Sequence, residues 1–118
     1  MTNIDAEIIE TLKRVEQLAF VRAGLEDRRA RQVLYTQIGL AFDSLFGACN
    51  LPPRSEKRER LNGLWAKVIW GDPGFFLHLY PTFAYELTGQ INWELFHAER
   101  EVPTPEYIRK VKHLLVVK

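Results

Sequence analysis

The chain has 118 residues, of which 47% are hydrophobic, 26% charged and 12% aromatic, and its net charge is +1. These proportions exclude an intrinsically disordered chain, and a single cysteine excludes an internal disulfide framework and gives no sign of an oxidising compartment. A domain of this length buries about two-thirds of the surface its unfolded chain exposes, so one core is expected over residues 1–118 and no metal or disulfide is needed to hold it.

The opening "MTNIDAEIIETLKRVEQ" places Asp5, Glu7 and Glu10 where a signal peptide needs a basic start and an unbroken apolar run. A cytoplasmic location is the resulting expectation. Helical spacing follows, and no alternating apolar and polar run of strand length occurs, which predicts an all-α fold: a compact single-domain bundle or orthogonal array of roughly five to six helices. The first helix carries the stripe Ile4, Ile8, Leu12, Val15, Ala19, with Ile9 and Leu18 alongside; Thr2 and Asp5 form a capping pair, and Gly24 ends it. The second opens with Glu26 and Asp27 and runs to about Gly47. Its inward positions are Ala30, Leu34, Ile38, Ala41 and Leu45, widened by Val33, Leu40 and Phe42, and a stripe so broad predicts the central helix. Gly39 inside it predicts a crossing helix close by.

"NLPPRS" breaks the chain at 50–55, and Ser55 caps a third helix over 56–70 with Leu61, Leu64, Trp65, Val68 and Ile69 inward and a Glu56–Arg60 pair outside. Gly71 stops it. Asp72 and Pro73 start the next segment, Pro81 interrupts or restarts it, and Gly89 ends it. That window, 70–89, is the most apolar of the chain, but Asp72, Pro73, Pro81 and Glu86 divide it well short of the ~20 residues of a membrane span. A helix over 91–101 places Ile91, Leu95 and Ala98 on one side, with Trp93 and Phe96 close by. Thr104 and Pro105 restart a last helix with Tyr107, Ile108, Val111, Leu114 and Leu115.

Chemistry is thinly represented. Cys49 falls near a helix C-terminus, where the dipole disfavours a thiolate, so a structural thiol is expected. Glu94, His97 and Glu101 share a helix face, but the E-x-x-H pair occurs once, whereas a di-iron bundle needs it twice. His78 in "FFLHLY" reads as a buried neutral imidazole bonded to a backbone carbonyl, with a haem, flavin or pH-sensitive hinge role as the alternative. No nucleophile elbow or phosphate loop is present. The expectation is a non-enzymatic protein with no cofactor and no bound metal.

Charge is segregated along the chain. Residues 1–27 hold six acids against three bases, residues 28–67 eight bases against three acids, residues 68–101 five acids and one base, and residues 102–118 four bases and one acid. Nine of the fourteen aromatic residues lie between 65 and 96, more than one core-facing stripe accommodates. The leading expectation is therefore a regulator, adaptor or inhibitor that binds another protein, an acidic one suiting its arginines, or a second copy of itself. Trp70, Phe75, Phe76, Tyr80 and Trp93 would be anchors, and Arg54, Lys57, Arg58 and Arg60 the steering charges. The runner-up is a DNA- or RNA-binding regulator using Arg28, Arg29, Arg31, Arg54, Lys57, Arg58, Arg60, Arg109, Lys110 and Lys112. Against it stand the long proline turn and a sequence pI of 7.9. A small-molecule or metal-binding bundle around His78 or His97 is the third reading.

Overall fold

Capping residues set the architecture. In the computed structural model, residues 4–101 are described, apart from the side chains of Arg100 and Glu101. Thr2 of the expected Thr2–Asp5 capping pair, and the residues of the expected last helix with Arg109, Lys110 and Lys112, lie outside them. Five α-helices follow in order: α1 (Ile4–Ala23), α2 (Arg28–Ala48), α3 (Glu56–Trp70), α4 (Tyr80–Thr88) and α5 (Trp93–Glu101), with a 3-10 helix, Pro73–Leu79, leading into α4. The fold is all-α. No helix among the described residues is long and apolar enough to cross a membrane.

Asp27 lies just outside α2 rather than in its first turn, and its carboxylate accepts a hydrogen bond from the Ala30 amide at 3.3 Å. Ser55 caps α3 through the Arg58 amide at 3.2 Å, and Asp72 caps the 3-10 helix through the Gly74 amide at 2.9 Å. At the other end of α2, Asn50 takes the left-handed conformation, φ 57°, so that the Leu51 amide reaches back to the Phe46 carbonyl at 2.9 Å. An asparagine tolerates that geometry better than most side chains. Gly89 ends α4 in the same way with φ 79°.

The core is one contiguous cluster. Ile8, Ile9, Leu12, Val15 and Ala19 of α1 meet Ile38, Phe42, Leu45 and Phe46 of α2, and the 3-10 helix and α4 close the cluster with Phe76, Leu79, Tyr80, Phe83 and Ala84. The central backbone element is α1, not α2: α1 packs against α2, the 3-10 helix and α4, whereas Val33 and Leu40 on the outer face of α2 are exposed. The wide apolar stripe of α2 therefore overstates its burial. Its contribution is Phe42, whose ring lies 5.1 Å from Trp65, 5.6 Å from Phe83, 6.2 Å from Phe46 and 6.3 Å from Phe76.

What approaches Gly39 is the indole of Trp65. A Cβ added there would sit 3.8 Å from the ring, which is ordinary contact. Gly39→Ala is accordingly expected to stabilise the fold by about 0.5–1 kcal/mol through helix propensity, raising the melting temperature by about 2–4 °C. Thermal unfolding followed by circular dichroism checks this, and a lower melting temperature would show that the indole cannot yield.

Candidate functional site

The aromatic stretch divides because its first half is a 3-10 helix. With three residues per turn, Phe75 and His78 stack on one edge while Phe76 and Leu79 share another. The core takes the second edge: Phe76 is fully buried and Leu79 nearly so, and Tyr80 and Phe83 continue that face into α4. Phe76 and Tyr80, expected among the partner-facing anchors, are therefore core residues. Tyr80 also carries a polar join, since its hydroxyl donates to Asp5 Oδ1 at 2.8 Å and accepts from the Asn92 amide at 3.1 Å. Burial, reinforced by the hydrogen bond to Asp5, pushes the phenol pKa up to about 12.

His78 is the reverse correction. It is exposed, stacked 4.7 Å from the Phe75 ring, and not a buried imidazole held by a carbonyl. The three-residue turn places it outside.

Three of the rings left at the surface come from elements that meet at the C-terminal turn of α1, while Tyr85 on α4 and Trp93 on α5 are exposed as well. Trp70 is 70% exposed, Phe75 49% and Phe20 47%. Phe20 lies against the 70–75 turn: a Cβ on Gly74 would come within 3.6 Å of its Cζ. Trp70, the last residue of α3, lies over the Arg22 guanidinium at 4.8 Å, and the Tyr35 ring is 5.6 Å from the same guanidinium. Arg22 is only 7% exposed, with these two rings against its guanidinium. Trp93, the remaining expected anchor, is exposed on α5, where its ring stacks on His97 at 6.1 Å.

One turn before Phe20, Glu16 is half-buried. Burial first, and the nearby Asp72 carboxylate second, raise its pKa from 4.5 to about 7. Its folded-state pKa lies above the unfolded one, so the folded state holds the extra proton and stability falls as pH rises from about 4.5 to about 7. Glu16→Gln is expected to flatten that decline and to stabilise the protein at pH 8 by about 1 kcal/mol, after allowance for solvent screening at a partly exposed site. Denaturant unfolding at pH 5 and pH 8 measures it. An unchanged pH slope in the variant would exclude Glu16 as the source.

The basic block at the start of α3 is largely engaged within the chain. Arg58 holds Asp43 at 2.9 Å, donates to the Leu51 carbonyl at 3.1 Å and covers the Phe46 ring at 5.3 Å, with its side chain only 12% exposed. It pins α3 to the end of α2 and is not a free steering charge. Arg60 and Lys57 both face Glu86 of α4, at 3.4 and 3.9 Å, so the Glu56–Arg60 pair gives way to a contact between helices. Arg54 is exposed in the proline turn, and Arg28 and Arg29 are exposed at the start of α2, where Arg31 is half-buried.

Arg22 and Phe20 were missed by sequence reasoning. The signal for Arg22 was its place three residues after Ala19, on the continuation of the α1 stripe.

Cys49 is half-buried at the end of α2, and burial together with the Glu7 charge pushes its thiol pKa up, which disfavours the thiolate. Among the described residues no group of three or more His, Cys, Asp or Glu side chains is placed to hold a metal ion. Two open grooves are also present, one between α1 and the end of α2 with Glu7, Glu10, Arg14 and Ser44 in its lining, the other between α3 and α4 with Arg60, Lys67, Thr82 and Glu86 in its lining. No protein-family model, curated protein or solved structure matches the chain.

Proposed function

We propose that this protein acts by binding another protein, as a small regulator or adaptor, through the surface formed by Phe20, Trp70 and Phe75. The observation that carries this reading is the exposure of three large rings around one turn, beside arginines that have no acidic partner within the described chain. Trp, Tyr and Arg are the side chains most enriched in binding hot spots, because they bury large rigid surfaces or forked donors at modest entropic cost. Phe75 is held by the 3-10 helix and Trp70 by its contact with Arg22, so both are ordered before any partner arrives. The partner suited to this surface combines an apolar contact with acidic groups, and the mechanism would be occlusion or recruitment.

The test is affinity capture from an extract of the source cells with wild-type protein and the double variant Trp70→Ala/Phe75→Ala. The variant is expected to keep its helical content, losing no more than about 1 kcal/mol because both rings are largely solvated. Specific capture by wild type and its loss in the folded variant is the expected result. Equal capture by both, or no specific partner, would overturn the reading. Salt-sensitive binding to random-sequence DNA, weakened by charge reversal at Arg28, Arg29 and Arg54, would favour nucleic acid in its place.

A further inference from the structure

We propose that Arg22 and Arg31, with the rings of Tyr35 and Trp70, form a binding site for a phosphate group. Arg31 and Tyr35 stand one turn apart on α2, and the Arg22 guanidinium faces that turn from α1, 5.6 Å from the Tyr35 ring centre. Arg31 therefore stands one turn from the ring that Arg22 covers, close enough for its charge to act on the Arg22 guanidinium.

Among the described residues no carboxylate makes an ion pair with Arg22 or Arg31, and the Nε–H of each is buried without a hydrogen-bond acceptor. The Asp27 carboxylate, close in sequence, caps α2 through the Ala30 amide and makes no ion pair with either arginine. Buried charged donors are ordinarily paired, and an unpaired one costs stability. Loss of hydration and the Arg31 charge both press Arg22 towards deprotonation. Guanidinium nevertheless stays charged in proteins, so the strain is relieved by an anion and not by loss of a proton.

Ring stacking fits the same purpose. A ring covers the face of a guanidinium and leaves the N–H donors in its plane directed at a ligand beside it. Two guanidinium groups match a phosphate, which carries about −1.5 to −2 charges and three strong acceptor oxygens, better than they match a single carboxylate. The phosphate could be a free anion or one carried on a phosphorylated side chain, and the chemistry of the site is the same for both. The proposal does not rest on the partner-binding reading, because the ligand is titrated onto this protein alone.

The experiment is an NMR titration of the arginine Nε–Hε signals with sodium phosphate at pH 7.5, sodium chloride being withdrawn to hold ionic strength constant. The Arg22 and Arg31 signals are expected to shift saturably, with affinity on the order of millimolar for the inorganic ion. Arg31→Gln is expected to weaken binding by about tenfold or more, and Arg22→Lys, which keeps the charge but loses the fork, to weaken it as well. Arg29→Gln, on the exposed side of the same turn, should change it by less than about twofold. A phosphoserine peptide binding more tightly than inorganic phosphate assigns the source to a modified protein; equal affinity assigns it to the free anion. Shifts that do not saturate, or folded Arg31→Gln and Arg22→Lys proteins that bind phosphate like wild type, would overturn the proposal.

Discussion

Phe42→Ala should lower the unfolding free energy by about 3–5 kcal/mol, the usual cost of removing a buried phenylalanine and leaving its cavity. The value belongs at the upper end because the ring is fully buried and touches four others, Phe46, Trp65, Phe76 and Phe83, drawn from α2, α3, the 3-10 helix and α4. No single helix can shift to fill the space without disturbing the packing of the rest. Small domains hold only about 5–15 kcal/mol in total, so the variant should melt far below wild type or fail to fold at moderate temperature. Leu40→Ala is the matched control. Leu40 is two residues away on the same helix but exposed, and its loss should cost no more than about 0.5 kcal/mol. Urea unfolding of both variants checks the pair, and similar costs for the two would mean that α2 is buried on both faces.

Tyr80→Phe should cost about 1–3 kcal/mol although it deletes one oxygen atom. That oxygen accepts the Asn92 amide and donates to Asp5, joining the start of α1 to the turn before α5. Without it the Asn92 N–H loses its acceptor, and the aromatic ring alone, stacked on Phe96 at 5.7 Å, cannot replace the bond. Asp5→Asn provides the comparison, because it removes the charge from the acceptor while leaving an oxygen in place, and should cost less. Amide hydrogen exchange at Asn92 reports the event directly: faster exchange is expected in Tyr80→Phe, and unchanged protection would show that another group holds the turn.

Much of the architecture is legible in the chain because it depends on local chemistry. Ser55 and Asp72 cap helices, Gly71 and Gly89 end them, and the α1 stripe from Ile8 to Ala19 is buried as its spacing requires. Local pattern does not reveal how many neighbours a helix has. The apolar width of α2 suggested a central helix, yet Val33 and Leu40 face outward and α1 occupies the middle. The 3-10 geometry of Pro73–Leu79 was likewise not announced by its composition, and it decides which aromatic rings are hidden.

Which of the expected anchors lie at the surface was legible only in part. Trp70 and Phe75 are exposed as anchors should be, Phe76 and Tyr80 are not, and Phe20 and Arg22 come from a helix remote in sequence. Arg58 looked like a steering charge because sequence does not show Asp43 and the Leu51 carbonyl waiting for it across the turn. Long-range pairing of this kind depends on the finished fold. It is what turns a basic run into one structural clamp, two charges facing Glu86 and one arginine, Arg54, that is exposed and makes no ion pair among the described residues.

Hydroxyl-radical footprinting in the presence and absence of the captured partner tests the central claim most directly. In the free protein Phe20, Trp70 and Phe75 should oxidise readily while Phe76, Tyr80 and Phe83 stay unmodified, and the complex should protect the first three together. Unprotected Trp70 and Phe75 in the complex, with protection elsewhere on the surface, would contradict the account.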